Sequence, residues 1–203
     1  ASFLPPHGHV VAFLGRFVRE KGVQLLMKAA EAILSRRSDV YFVLAGNGPL
    51  FDDLQAMAVD FGIADRVIFP GFVNDKGRNA LLGRASVAVF PSLYEPFGIV
   101  ALEAMGAGVP TIVSDTGGFA EIVEHEVDGL KVYPGDLHGL VNAIERLLDD
   151  RGLADALVVR AREKTLRKYT WHAVCCQTLD AYRGLKRART VEKLGVVAGN
   201  SVG

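Results

Sequence analysis

Short apolar runs recur along this chain, unbroken at Val10–Leu14, Tyr41–Leu44, Val67–Phe69 and Val87–Phe90, and interrupted by Pro110-Thr111 in Val109–Val113 and by Lys131 in Leu130–Tyr133. Runs this short, bounded by glycine, proline or asparagine, read as strands buried on both faces. Between them the apolar spacing changes to a helical period. Val23, Leu26, Met27, Ala30 and Ile33 share one face of a helix that opens at Lys21-Gly22 and reaches about Arg37. Further helices are predicted over Leu50–Phe61, Lys76–Arg84, Gly98–Met105, Phe119–Val123, Leu137–Leu148, Leu153–Lys168 and Trp171–Lys186. Pro134-Gly135-Asp136 supplies a turn and an N-cap for the one that starts at Leu137.

Strands that alternate with helices predict an α/β fold, a doubly wound, Rossmann-like parallel sheet covered on both faces. Residues 1–8 read as a linker because Pro5, Pro6 and Gly8 resist regular structure. Residues 9–186 form a single domain in this reading. Residues 187–203 have weak periodicity and read as a flexible tail. In open parallel sheets ligands bind outside the carboxyl ends of the strands. The polar and glycine-rich loops here follow strands, so they gather along that one edge: Gly15-Arg16, Gly46-Asn47-Gly48, Gly71, Glu95 and Thr116-Gly117-Gly118.

Composition narrows the function classes. Half of the 203 residues are hydrophobic, enough for a sizeable core. Formal net charge is zero, so nothing electrostatic points to nucleic acid as a partner. The one basic concentration, Arg160 to Arg189, is interrupted by acids and reads as a solvated helix face, with peripheral membrane contact as the other reading. Cys175 and Cys176 are adjacent and give no disulfide framework, which favours a reducing compartment. No apolar run approaches the ~20 residues of a membrane span. The start, ASFLPPHGHV, lacks the basic segment of a signal peptide, and a cytoplasmic location is the expectation. It also lacks an initial Met, as a fragment of a longer protein would.

The candidate chemistry centres on Phe90–Pro110. Glu95 and Glu103 lie there with seven residues between them, and Pro96-Phe97-Gly98 opens a helix in that interval. A helix N-terminus presents free N–H groups and the positive end of its dipole, which suits phosphate. A carboxylate beside it can accept hydrogen bonds from a diol such as a ribose, and phosphate with ribose describes a nucleotide. Arg16 and Lys21 flank a strand-to-helix loop at the same edge, where two cations could neutralise a diphosphate. As surface residues they would pair instead with Glu20 or another acid. For Glu103 the structural alternative is a salt bridge to Arg16 or Arg84. Phe72 and Val73 could flank a base or simply pack as loop. The Gly46-Asn47-Gly48 loop fails the dinucleotide fingerprint because Phe51 stands where a third glycine is required. Gly117 and Gly118 could offer N–H groups to a phosphate or sugar, or only form a loop. None of the five histidines forms a metal-spaced cluster, and Ser92 and Ser114 lack a nucleophile elbow.

In order, Gly15-Arg16, Lys21-Gly22, Gly46-Asn47-Gly48-Pro49, Gly71, Glu95-Pro96-Phe97-Gly98, Glu103-Ala104-Met105 and Gly117-Gly118 with Glu121 resemble the C-terminal domain of group 1 glycosyltransferases, the retaining GT-B enzymes. The resemblance covers about residues 9 to 183. It implies that Arg16 and Lys21 hold the donor's diphosphate, near Gly15. It implies that Gly98 and Ile99 offer backbone N–H groups to it, that Glu103 binds the ribose hydroxyls, that Glu95 contacts the donor sugar, and that Phe72 and Val73 line the base pocket. Arg16, Lys21 and Glu95 would be the catalytic set. It implies transfer from a nucleotide-sugar donor, a substrate rather than a cofactor, without a bound metal. It also implies a missing N-terminal GT-B domain that carries the acceptor site, so this chain alone would bind but not turn over. The Tyr169-Thr170-Trp171 segment resembles the family's closing segment. The alternatives are a GT-B-like nucleotide-sugar epimerase and a non-catalytic nucleotide-sugar-binding module.

Overall fold

The computed structural model describes residues 2–198, with side chains up to residue 184. Six strands form one parallel sheet: β1 (His9–Leu14), β2 (Val40–Ala45), β3 (Val67–Gly71), β4 (Val87–Phe90), β5 (Thr111–Ser114) and β6 (Leu130–Val132). Their order across the sheet is β3-β2-β1-β4-β5-β6. The chain builds outward from β1 to one edge, crosses back, and builds outward from β4 to the other. β1 and β4 are therefore neighbours, with Val11 opposite Val87 and Ala12 opposite Ala88.

The helices are α1 (Val23–Leu34), α2 (Phe51–Asp60), α3 (Asp75–Arg84), α4 (Ile99–Gly106), α5 (Gly117–Ile122), α6 (Leu137–Asp149), α7 (Arg151–Lys168) and α8 (Trp171–Ala198). A short 3-10 turn, Arg19–Lys21, precedes α1. α1 packs against α6 and α2, whereas α4 packs on β5 and α5. The predicted elements are all present, with bounds moved by a few residues except at the end of α8. β3 continues through Pro70-Gly71, which the sequence reading placed after it; proline is tolerated because β3 is an edge strand. α8 continues to Ala198, through part of the stretch read as tail from residue 187. No proline follows Pro134, so nothing in the sequence forces an earlier stop.

The chain divides into two compact units, residues up to 163 and residues from 164 on. In the second, the Thr170 hydroxyl accepts from the Ala173 N–H at 3.2 Å and caps α8. The core of the first lies between sheet and helices. Phe13, Phe17, Phe42, Phe90 and Phe119 are essentially fully buried, each contributing about 1.5–3 kcal/mol of transfer free energy. Phe51 shows why the glycine loop fails the dinucleotide pattern. Its ring stacks on Phe17 at 5.8 Å and meets Phe69 edge-on at 6.1 Å, so it serves the core.

At the amino ends of the strands, Arg37 bonds Asp39 at 3.0 Å and Asp149 at 2.5 Å. Its hydrogen bond holds the Asp39 carboxyl below the usual carboxylate range. This charged cluster lies at the end of the sheet away from the loops that carry the candidate chemistry.

Candidate functional site

The strand order reverses between β1 and β4, and a crevice opens at their carboxyl ends. A cleft of about 370 Å³ lies there, lined by Gly15, Arg16, Lys21, Ser92, Glu95, Phe97, Ile99, Val100 and Glu103, with Phe13 and Phe90 at its base. The two phenylalanines come from neighbouring strands, their ring centroids 6.4 Å apart. They give the polar rim an apolar, water-excluding base.

Local backbone explains how each group reaches the cleft. After β1 the chain makes the 3-10 turn that carries Lys21, and Gly22 ends it in the left-handed region at φ 65°. A Cβ on Gly22 would stand 1.9 Å from the Pro91 carbonyl oxygen, so the turn lies directly on the exit of β4. The Glu20 carbonyl then accepts the Leu93 N–H at 2.8 Å. Lys21 and Glu95 thereby come together: Nζ lies 2.6 Å from Oε2. The side chain of Glu95 is 7% exposed and that of Lys21 27%. The other Glu95 oxygen accepts the Gly98 N–H at 3.2 Å.

Gly98 is the N-cap of α4 at φ 80°, and no side chain caps that helix end. The first N–H groups of a helix have no intrahelical acceptor, so Ile99 and Val100 bring unpaired donors and the positive dipole end to the cleft. Arg16 is exposed at the mouth, and its guanidinium pairs with no carboxylate among the described residues. The cleft thus offers a free cation, a second cation held by a buried carboxylate, and a helix terminus. Together they suit an anion larger than one phosphate.

Seven of the expected residues are thus brought together: Gly15, Arg16, Lys21, Glu95, Gly98, Ile99 and Glu103. Phe72 and Val73 do not line this cleft. They follow β3, two strands away at the same edge of the sheet, with Phe72 82% exposed and Val73 half-buried. Gly118 has its N–H engaged within the protein, and Gly117 is a close-approach position. The Gly118 N–H is taken by the Glu95 carbonyl at 2.8 Å, and a Cβ on Gly117 would stand 2.0 Å from the same oxygen. These glycines let α5 press against the loop that aims Glu95. The Gly46-Asn47-Gly48 loop is likewise tied down, with Gly46 N–H on Gly71 and Gly48 N–H on the Asn47 side chain.

The ion pairs use partners that the sequence did not name. Lys21 pairs with Glu95 and not Glu20. Glu103 pairs with Arg78, Nη1 to Oε1 at 3.2 Å, whereas Arg84 donates to the Gly8 carbonyl. Sequence reasoning missed Arg78. Its signal is position: it lies in the first turns of α3, the helix that starts at the ligand edge of β3, capped by the Asn74 side chain on Gly77 N–H at 3.0 Å. Among the described residues no group of three His, Cys, Asp or Glu side chains is placed to hold a metal ion. No helix among them is long and apolar enough to cross a membrane.

Fold and site define a doubly wound α/β domain with a charged cleft at its topological switch point. A family model described as glycosyl transferases group 1 matches residues 2–164. The chain belongs to that family of transferases, and its Rossmann-like sheet matches one half of their GT-B architecture. It is 39% identical over 174 residues to an uncharacterized glycosyltransferase of Methanocaldococcus jannaschii, covering 86% of this chain and 44% of that protein. It superposes on Anabaena Alr3699/HepE, solved in complex with UDP and glucose, with TM-score 0.80 and 25% identity, over 88% of this chain and 49% of that one. It also superposes on the C-terminal domain of a group 1 family protein from Francisella tularensis, with TM-score 0.74 and 26% identity, over 81% of this chain and 88% of that one. The chain spans about half the length of the curated relatives it matches.

Proposed function

We propose that this domain grips the nucleoside diphosphate of a nucleotide-sugar donor during configuration-retaining hexosyl transfer to an acceptor, with no resident cofactor or metal. The observation that carries the reading is the meeting, in one cleft, of Arg16, the Lys21–Glu95 pair and the open N-terminus of α4. The HepE likeness, with UDP and glucose bound in that protein, supports it.

In this reading the diphosphate enters between Arg16, Lys21 and the N–H of Ile99, while the Gly98 N–H stays with Glu95. Glu103 accepts hydrogen bonds from the ribose diol, and Glu95 from the donor sugar's hydroxyls. Phe72 and Val73 flank the base from the loop after β3. When the bond from the anomeric carbon to the diphosphate breaks, negative charge grows on the leaving group. Fixed cations and N–H donors stabilise that charge without reorganising. An acceptor hydroxyl oxygen takes the vacated position on the same face of the sugar, and its proton leaves with the diphosphate. The acceptor is held by an N-terminal domain, so positioning of the two reactants needs both halves.

Calorimetric titration with UDP, GDP and ADP, without added metal, tests the donor site. Micromolar binding of one of them is expected, a free energy near −8 kcal/mol. Glu103→Gln and Lys21→Ala are expected to weaken it at least about tenfold. No binding of any of the three overturns the reading. Sustained sugar transfer by the 203-residue chain alone would refute the division of labour.

A further inference from the structure

We propose that Arg78 is a positioning residue that fixes Glu103, and through it the preference of the cleft for a ribose bearing free hydroxyls. The inference rests on the donor-site reading above. Glu103 is shared between two hollows. On one side it lines the 370 Å³ cleft; on the other it lines a cavity of about 480 Å³ between α3 and α4, with Arg78, Asn79, Leu82, Gly83 and Ala107. Arg78 approaches from that second side and forms an ion pair with Oε1 at 3.2 Å. The same nitrogen lies 3.2 Å from Asp75 Oδ1, so one corner of the guanidinium sits between two carboxylates.

The physical consequence is orientation. A glutamate has three side-chain torsions, and with about a third of its surface exposed Glu103 would otherwise sample several rotamers. Holding one oxygen from the α3 side fixes the carboxylate at the edge of the cleft that Glu103 also lines. An exposed pair of this kind contributes little to stability. Its effect is felt where a ligand needs the carboxylate in one place, because the ligand no longer bears the ordering cost.

The test compares the tightest-binding of UDP, GDP and ADP with its 2′,3′-dideoxy counterpart, on the same 203-residue chain. The wild-type chain is expected to favour the ribonucleotide at least about tenfold. Arg78→Gln and Arg78→Met, the second keeping an apolar stem, are expected to shrink that ratio to within about threefold. Dideoxynucleotide affinity and melting temperature should stay near wild type, which loss of a merely structural contact would not produce. Glu103→Gln should abolish the ratio. If both Arg78 variants keep the wild-type ratio while Glu103→Gln loses it, the positioning role is wrong and the donor site stands. If the wild-type chain does not discriminate the two nucleotides, the donor-site reading falls with it.

Discussion

Removing either member of the Lys21–Glu95 pair should have unequal effects on stability, and the structure says which is worse. Glu95 is the buried partner, with 7% of its side chain exposed against 27% for Lys21. Lys21→Ala leaves a buried carboxylate that keeps the Gly98 N–H at 3.2 Å but has lost its cation. An under-satisfied buried polar group costs about 1–3 kcal/mol. For a domain of this size that is a fall of about 4–8 °C in melting temperature at about 2 kcal/mol. Glu95→Gln instead leaves an ammonium on a flexible stem, which can swing towards water. The amide oxygen can still accept from Gly98, so the cost should stay below about 1 kcal/mol. Thermal or urea melts of both single variants and the double variant measure the difference. The double variant should recover most of what Lys21→Ala loses, since no charge is then left buried. A Glu95→Gln variant as unstable as Lys21→Ala, or more so, would refute the argument that burial of the carboxylate sets the asymmetry.

Other consequences are as direct. Gly117→Ala places a methyl 2.0 Å from the Glu95 carbonyl at a residue with φ 47°, so a loss of about 2–4 kcal/mol and weaker nucleotide binding are expected in the same variant. Phe72→Ala removes a ring that is 82% exposed; melting should move by less than about 0.5 kcal/mol while nucleotide affinity falls, and unchanged affinity would remove Phe72 from the base pocket. Asp39 has a folded-state pKa below its ordinary 3.8, so its contribution is present above that pH and is lost as pH falls through the lower folded value. Asp39→Asn should flatten the acid limb of stability measured from about pH 6 to about pH 2, by an amount that shrinks with added salt because the pair is exposed.

Much of this molecule is legible in the sequence because parallel strands buried on both faces are continuous apolar runs. Val87–Phe90 reads the same in sequence and structure, down to its end residues. What the runs do not carry is the order in which strands sit side by side. Nothing local in Val87–Phe90 says that it lies against Val11 and Ala12, and without that neighbour Lys21 and Glu95 cannot be seen as a pair. Arg78 was hidden for the same reason: it meets Glu103 only because α3 carries the chain back from the edge strand to the centre of the sheet. Gly117 and Gly118 were visible as special backbone, but a close approach to Glu95 and a free N–H look alike until the third dimension is known. The resemblance assigned roles to residues, and the geometry adds which of them hold one another.

The adjacency of β1 and β4 also makes the cleft a report on folding itself. Residues 9–84 supply Arg16, Lys21 and Arg78, and residues 87–163 supply Glu95, the α4 terminus and Glu103. Neither half owns a site. Their union requires contacts between residues more than seventy positions apart, the kind of pairing that forms late and slowly. A ligand that bridges the seam would bind only the joined state and draw the equilibrium towards it by mass action. Cut between α3 and β4, the chain becomes two fragments whose reassembly the nucleotide should drive, and a folding defect on either side of the seam would be read first as lost affinity.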